Sequence, residues 1–346
     1  MVMKKRRRKR MSFKLGILDQ SPIFPGESTV EAFKQTIHLA KYAEKWGYTR
    51  FWVSEHHHSD QLAGSSPEVL ISYLLAQTKS IRIGSGGVLL QHYSPYKVAE
   101  NFHVLSHLAP GRVDLGIGKA PGGLPLSTRA LQFGTENDGA DFEDRISFLQ
   151  QLIENSVNIN HPLAGIEATP IPNKKPETFL LGASARSAEL AAHQKMTFVF
   201  GLFFNSHLEE LEKASQIYHE HFLEGTFIVG VSAIAASTQQ EAEQLANNQK
   251  ILKVHLEDGR SVKVLTREQG ELFGQQAGIP YTIEEQDSGA IAGTADYVKA
   301  KLEELHRKYS IDEFILHNPI LNKEKRFQSF QLLRPIQVYN SEKVVY

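Results

Sequence analysis

Short apolar runs alternate with longer stretches of helical periodicity from Lys14 almost to the C-terminus, and this alternation restricts the fold more than any other feature. The apolar, β-branched and aromatic runs predict strands at Lys14–Leu18, Arg50–Val53, Ile81–Leu89, Arg112–Ile117, Thr178–Leu181, Thr197–Phe200, Phe227–Ala235 and Glu313–Leu316. Between them the periodicity predicts helices at Thr29–Trp46, Pro67–Thr78, Pro95–His107, Phe142–Asn155, Ser187–His193, Leu208–Phe222, Gln239–Leu252 and Ala295–Tyr309, with a last one at Lys323–Leu332. Gly47 caps the first helix, and Pro67 and Pro95 sit in the first turns of theirs. Eight strands separated by helices predict an α/β fold with a parallel sheet, closed as a (β/α)8 TIM barrel. A doubly wound open sheet is the rival arrangement for the same pattern. The stretch from about residue 253 to residue 292 has charges, glycines and weak periodicity, weakest over His255–Ala292. It reads as a lid-like insertion at the C-terminal face of the strands. The expected organisation is one barrel domain over residues 11–346.

Charge and residue inventory narrow the function. There is no cysteine, so disulfides, thiolate metal sites and a cysteine nucleophile are all excluded. The seven residues Lys4–Arg10 are all basic. Without them the chain holds 31 basic and 39 acidic residues, a net charge of −8, which does not suit a nucleic-acid binder. No apolar h-region follows the basic tract, so it is not a signal peptide. It reads as a disordered leader, residues 1–10. Purine-rich AAA and AGG codons of a ribosome-binding site, if translated, would spell such a tract, and Met11 is the expected natural start. No apolar run approaches the ~18 residues of a membrane span, so a cytoplasmic protein is expected, with neither membrane nor nucleic acid as a partner.

In a parallel barrel the site lies where strands end and loops begin. Asp19, Gln20 and Ser21 follow the first strand, and Glu55, His56, His57 and His58 the second. Adjacent residues of an extended segment point to opposite faces, so three consecutive histidines rarely meet on one metal, and no metal is expected. His56 reads either as an ordinary loop histidine or as a general base titrating near neutral pH, with Glu55 orienting a neighbour or accepting from a cofactor. Gly84, Gly86 and Gly87 lie within the third strand. Either a bulge or the close approach of a flat ligand accounts for them. Gly182-Ala-Ser-Ala-Arg-Ser187 joins the fifth strand to a helix. Small residues at a helix start expose N–H groups and the positive dipole end to a phosphate, with Ser184, Ser187, Arg186 and Lys119 as further donors; Ser184 as a plain N-cap is the alternative.

The stretches FWVSEHH (Phe51–His57), IGSGGVLL (Ile83–Leu90), KVAENFHVL (Lys97–Leu105), GRVDLGIGKA (Gly111–Ala120) and LLGASARSAELAA (Leu180–Ala192) resemble the luciferase-like monooxygenases in order and spacing. GTADYVKAKLEEL (Gly293–Leu305) and IDEFIL (Ile311–Leu316) resemble that family's closing helix and strand. The resemblance implies a flavin-dependent monooxygenase in which reduced FMN, supplied by a separate and transiently bound flavin reductase, lies across the barrel mouth and reacts with O2 and a small organic substrate. It places the FMN ring over Gly86–Gly87, where the family often has a non-proline cis peptide, and the phosphate at Gly182, Ser184 and Ser187 with a positive side chain. His56 matches the family's catalytic histidine. Gly118 stands where bacterial luciferase has a reactive cysteine and Lys119 where it has arginine, so light emission is not expected and Lys119 serves as a point charge. Relatives that transfer hydride with a deazaflavin, and relatives that bind flavin without turnover, are the alternatives. The family pairs as homodimers through its second and third helices, and Val69, Leu70, Tyr73 and Leu74 widen the apolar surface of the second helix.

Overall fold

The computed structural model describes residues 13–335 except 136, 248, 249, 265 and 288. The Lys4–Arg10 leader and Met11 lie outside the described residues. Strands β1 (Lys14–Asp19), β2 (Arg50–Val53), β3 (Arg82–Leu89), β4 (Val113–Gly118), β5 (Glu177–Gly182), β6 (Thr197–Gly201) and β7 (Phe227–Ala236) are followed by β8 (Lys250–Leu256), β9 (Ser261–Val264), β10 (Tyr281–Asp287), β11 (Ile291–Thr294) and β12 (Glu313–His317). The helices are α1 (Thr29–Trp46), α2 (Pro67–Gln77), α3 (Pro95–Leu108), α4 (Pro125–Leu131), α5 (Phe142–Glu154), α6 (Ala185–His193), α7 (Leu208–His221), α8 (Gln239–Asn247), α9 (Arg267–Ala277), α10 (Ala295–Tyr309) and α11 (Lys323–Leu333).

Strands β1 to β7 and β12 pair in parallel, and the β6–β7 and β12–β1 ladders close them into the expected eight-stranded barrel. Period-two alternation decides which residues fill it. Leu18, Trp52, Phe179, Val199, Ile228 and Ile315 pack together inside, whereas their neighbours Ile17, Phe51, Leu180, Phe198, Phe227 and Phe314 belong to the layer shared with the helices. Arg50, two residues before Trp52, places a guanidinium among acids: Asp114 at 2.7 Å and Glu313 at 3.0 Å. Asp114 also accepts from the Trp52 indole at 2.8 Å. This buried ion network at the base of the barrel has no signature in the sequence, because its members lie on three strands far apart in the chain.

The insertion differs from its expected outline. The helix predicted to Leu252 ends at Asn247, and Lys250–Leu256 is a strand. Leu252, Val254 and Leu256 are buried at alternate positions, a strand period that a helical reading misses. Strands β8, β9 and β10 form an antiparallel sheet ordered β10-β8-β9. Its apolar face packs on Phe273 of α9 and on Leu124. Ile291–Thr294, partly inside the expected insertion, is an extra parallel strand against β7. Helix α4 interrupts the glycine- and proline-rich loop after β4, with Pro125 in its first turn.

Candidate active site

The C-terminal ends of the strands bring together groups that are distant in sequence. Glu55, just past β2, is 4% exposed, and three donors hold its carboxylate. Leu89 N–H donates to Oε2 at 3.1 Å, and the Tyr93 hydroxyl and His57 Nε2 meet Oε1 at 2.7 and 2.8 Å. Burial and the Glu55 charge push the Tyr93 hydroxyl well above the usual phenol range, which keeps it a donor. Glu55 therefore fixes the β2 and β3 ends relative to one another.

His56 is half-buried. Its backbone N–H donates to Gly64 O at 2.8 Å, and its Nδ1 lies 3.0 Å from Ser54 Oγ. Burial pushes its pKa down to about 4, against the opposing pull of Glu55. The expectation of a group titrating near neutral pH is thus corrected: the ring is neutral at pH 7 because the mouth desolvates it. The three histidine side chains face different surroundings. His56 turns to Ser54, His57 to Glu55, and His58 is exposed with φ 52°.

Sequence reasoning missed His317. It ends β12, and its Nε2 lies 2.8 Å from Gln20 Oε1, 297 residues away. With that oxygen accepting, the ring proton sits on Nε2, and Nδ1 accepts from Ser232 Oγ at 3.1 Å. The ring stacks on Phe203 with centroids 5.3 Å apart. Burial first, and the charge of Arg326 second, push its pKa down to about 3. The strand-end rule that singled out Gln20 reaches His317 equally when applied to the last strand. Asp19 holds the end of β1 by accepting from Ser21 N–H at 2.6 Å, Thr36 Oγ1 at 2.9 Å and Arg326 at 3.1 Å.

Close packing dictates the glycines beside these groups. The Gly86–Gly87 peptide is cis. A Cβ on Gly86, which is partly exposed, would meet Leu18 Cδ1 at 2.8 Å; one on Gly87 would meet Gly116 O at 2.7 Å. A Cβ on Gly118 would make ordinary contact with Leu89, at 3.8 Å, so a small side chain fits there without a clash. In the β5–α6 loop a Cβ on Gly182 would strike Ser187 Cβ at 2.3 Å, so glycine lets the loop fold tightly under the helix start.

Ser184 is the N-cap of α6. Its Oγ accepts from Ser187 N–H at 3.2 Å and lies 2.9 Å from Ser187 Oγ. Glu210 of α7 accepts from Ala185 N–H at 2.8 Å, so one of the free helix-start amides already faces a carboxylate. The two expected cations are directed elsewhere. Arg186 is largely exposed, with Glu143 at 3.8 Å, and Lys119 Nζ donates to Gly139 O at 2.6 Å. Among the described residues no hydrogen bond joins either to Ser184 or Ser187.

A parallel barrel with neutral histidines at the ends of β2 and β12, a glycine-rich third strand and a serine-capped helix start at one mouth is the framework of a flavin-type oxidoreductase. The profile of the luciferase-like monooxygenases matches residues 11–310, and the chain belongs to that family. It is 44% identical to the N-acetyl-S-alkylcysteine monooxygenase of Bacillus subtilis (strain 168), over 92% of this chain and 97% of that one. Among solved structures, apo-MsnO8 is 28% identical with a TM-score of 0.76, covering 93% of this chain and 97% of that one. The oxygenating constituent of 3,6-diketocamphane monooxygenase from Pseudomonas putida, solved with FMN, shares the fold at a TM-score of 0.67 and 20% identity, covering 93% of this chain and 96% of that one.

Proposed function

We propose that this protein is a two-component flavin monooxygenase that takes reduced FMN from a separate, transiently bound reductase and oxygenates a small organic substrate of the N-acyl-S-alkylcysteine type. The observation that carries this reading is the mouth itself: neutral His56 and His317 lie at strand ends beside Gly86, which is partly exposed, and Gly118, which could take a small side chain without a clash. The 44% identical relative, named as an N-acetyl-S-alkylcysteine monooxygenase, supports oxygenation over hydride transfer with a deazaflavin.

The residues fit a flavin. Gly86 and Gly87 present no side chain to a ring, Gly118 leaves room, and the Ser184 and Ser187 hydroxyls with the α6 amides suit a phosphate. Lys119, which donates to Gly139 O, and the exposed Arg186, near Glu143, would have to turn from these partners to add charge at that end. When bound, the reduced flavin supplies the two electrons with which O2 is split between substrate and water. The chain's own part is to position and to exclude water. Glu55, through Leu89, Tyr93 and His57, holds the β2 and β3 ends rigid. His56, with Nδ1 tied to Ser54, has Nε2 for exchanging a proton. Gln20 and Ser232 fix the His317 ring so that it stays neutral and stacked on Phe203. The antiparallel sheet with α9 acts as the lid that keeps water out. Incubating the protein with N-acetyl-S-methyl-L-cysteine, FMN, a flavin reductase, NADH and O2 tests the assignment. Substrate-dependent oxygenation is expected, and reduced flavin oxidised without any change in the thioether overturns it.

No described helix is long and apolar enough to cross a membrane, in keeping with the cytoplasmic location we assign. A homodimer through α2 and α3 completes the proposal. Leu74 is fully buried and Leu70 partly, but Val69 is 70% and Tyr73 54% exposed, and Val104 and Leu108 of α3 extend the apolar patch across a shallow groove. Sedimentation at micromolar concentration is expected to give a dimer, and Val69→Lys a monomer of unchanged melting temperature. A wild-type monomer refutes the pairing.

A further inference from the structure

The inserted sheet meets the barrel mouth from three sides. Gln269 Nε2 of α9 donates to Asp60 Oδ1 at 3.3 Å in the loop after β2, and Gln276 Oε1 accepts from Leu126 N–H at 3.1 Å after β4. Lys263 Nζ of β9 donates to Phe203 O at 3.2 Å, just past β6. Leu252, Val254 and Leu256 face α9, so the alternate residues Lys253 and His255 of β8 occupy the other face, with Lys263 opposite Lys253 and Glu284 on its other side. The Glu284 carboxylate lies 3.3 Å from His255 Nε2. Lys263, on the edge strand, is half-buried and, among the described residues, meets no carboxylate; its partner is a neutral carbonyl. An ammonium taken partly out of water without a counter-charge is costly and uncommon. Burial and the charge of Lys253 push its pKa below the usual lysine value, a strain that an incoming anion relieves. The ring of the same Phe203 whose carbonyl it touches stacks on His317, so Lys263 and the His317 ring meet one residue just past β6.

We propose that Lys263 is the carboxylate anchor of the substrate site, and that the lid therefore selects small carboxylate substrates, N-acyl amino acids with an S-alkyl side chain, over their neutral analogues. This rests on the oxygenation reading for the identity of the substrate but not for the anchor. The test compares N-acetyl-S-methyl-L-cysteine with its primary carboxamide, of nearly the same shape and uncharged. Calorimetric titration of the FMN-loaded protein should show the acid binding about 10- to 100-fold tighter than the amide, the range for a hydrogen bond to a charged group. Lys263→Gln should bring that ratio close to one with FMN affinity within a few-fold, and Lys263→Arg should restore most of it, which separates lost charge from a misfolded lid. Persistent discrimination in Lys263→Gln overturns the proposal. So does a Lys263→Gln protein that keeps the discrimination but loses FMN affinity tenfold or more, since the ammonium then serves the flavin phosphate. Turnover separates the two readings. Lysine-dependent binding of the acid without its oxidation sinks the function and leaves the anchor, whereas equal binding and oxidation of acid and amide sinks the anchor and leaves the function.

Discussion

Ser184→Asp should weaken FMN binding about a thousandfold while leaving the melting temperature almost unchanged. The two effects separate because the side chain has two roles in the proposed site. As N-cap of α6 it accepts from Ser187 N–H, and aspartate is an equally good acceptor at that position. As a phosphate ligand it must donate, and a carboxylate cannot. It adds a charge beside a dianion, and like charges ~4 Å apart repel by about 4 kcal/mol at an effective dielectric of 20. At 1.4 kcal/mol per factor of ten, that is about three orders of magnitude. Glu210 sharpens the expectation. Its carboxylate already occupies Ala185 N–H, so phosphate has to displace or share one acid at this helix start, and a second acid leaves it no favourable seat. Titration of the variant with FMN, followed by flavin fluorescence and checked against a thermal melt, decides the matter. Normal affinity in a well-folded protein would mean that Ser184 is only a cap and that the phosphate binds elsewhere.

His56→Ala should lower turnover about a hundredfold or more, with FMN affinity changed by no more than a few-fold. A positioned proton donor or acceptor contributes about 10²- to 10⁴-fold, and the lower end suits this ring because its depressed pKa makes it a weak base. The same depression has a consequence for pH. A ring with a pKa near 4 is neutral throughout pH 5.5 to 8, so the wild-type rate should show no inflection at the ordinary histidine value near 6.5. Steady-state turnover with reductase in excess, measured across that range, tests both statements. An unchanged rate in the variant would reduce His56 to its contacts with Ser54 and Gly64; an inflection near 6.5 that vanishes in the variant would show the ring to be better solvated than its burial indicates.

The barrel strands were legible because each carries its own pattern. Arg50–Val53 matches its predicted span, and β1, β3, β4, β5, β6, β7 and β12 begin and end within a residue or two of theirs. The strand-end rule singles out Glu55, His56 and Ser184, and the structure places all three just past the ends of their strands. The inserted sheet was less legible. Its first strand alternates buried Leu252, Val254 and Leu256 with partly exposed Lys253 and His255, the other two bury no described residue fully, and the first follows a helix so closely that the helical period runs on into it. Nor did residue type foretell what Arg186 and Lys119 do. Both are cations at the expected loops, yet one lies near Glu143 of α5 and the other donates to the Gly139 carbonyl before it.

The sequence by itself determined that eight strands alternate with helices and that the chain resembles the flavin monooxygenases, because periodicity and motif order are properties of neighbouring residues. Only the tertiary structure decided that His317 meets Gln20, that Arg50 is shared between Asp114 and Glu313, that Glu210 sits at the α6 start, and that Lys263 reaches the mouth. Those contacts join residues from 25 to 297 positions apart, and they exist because closing the barrel gathers strand ends at its base and at its mouth, where the inserted sheet also docks. The histidine pKa values follow the same division. The ring is written in the sequence, but the desolvation that keeps it neutral comes from elements the chain supplies elsewhere.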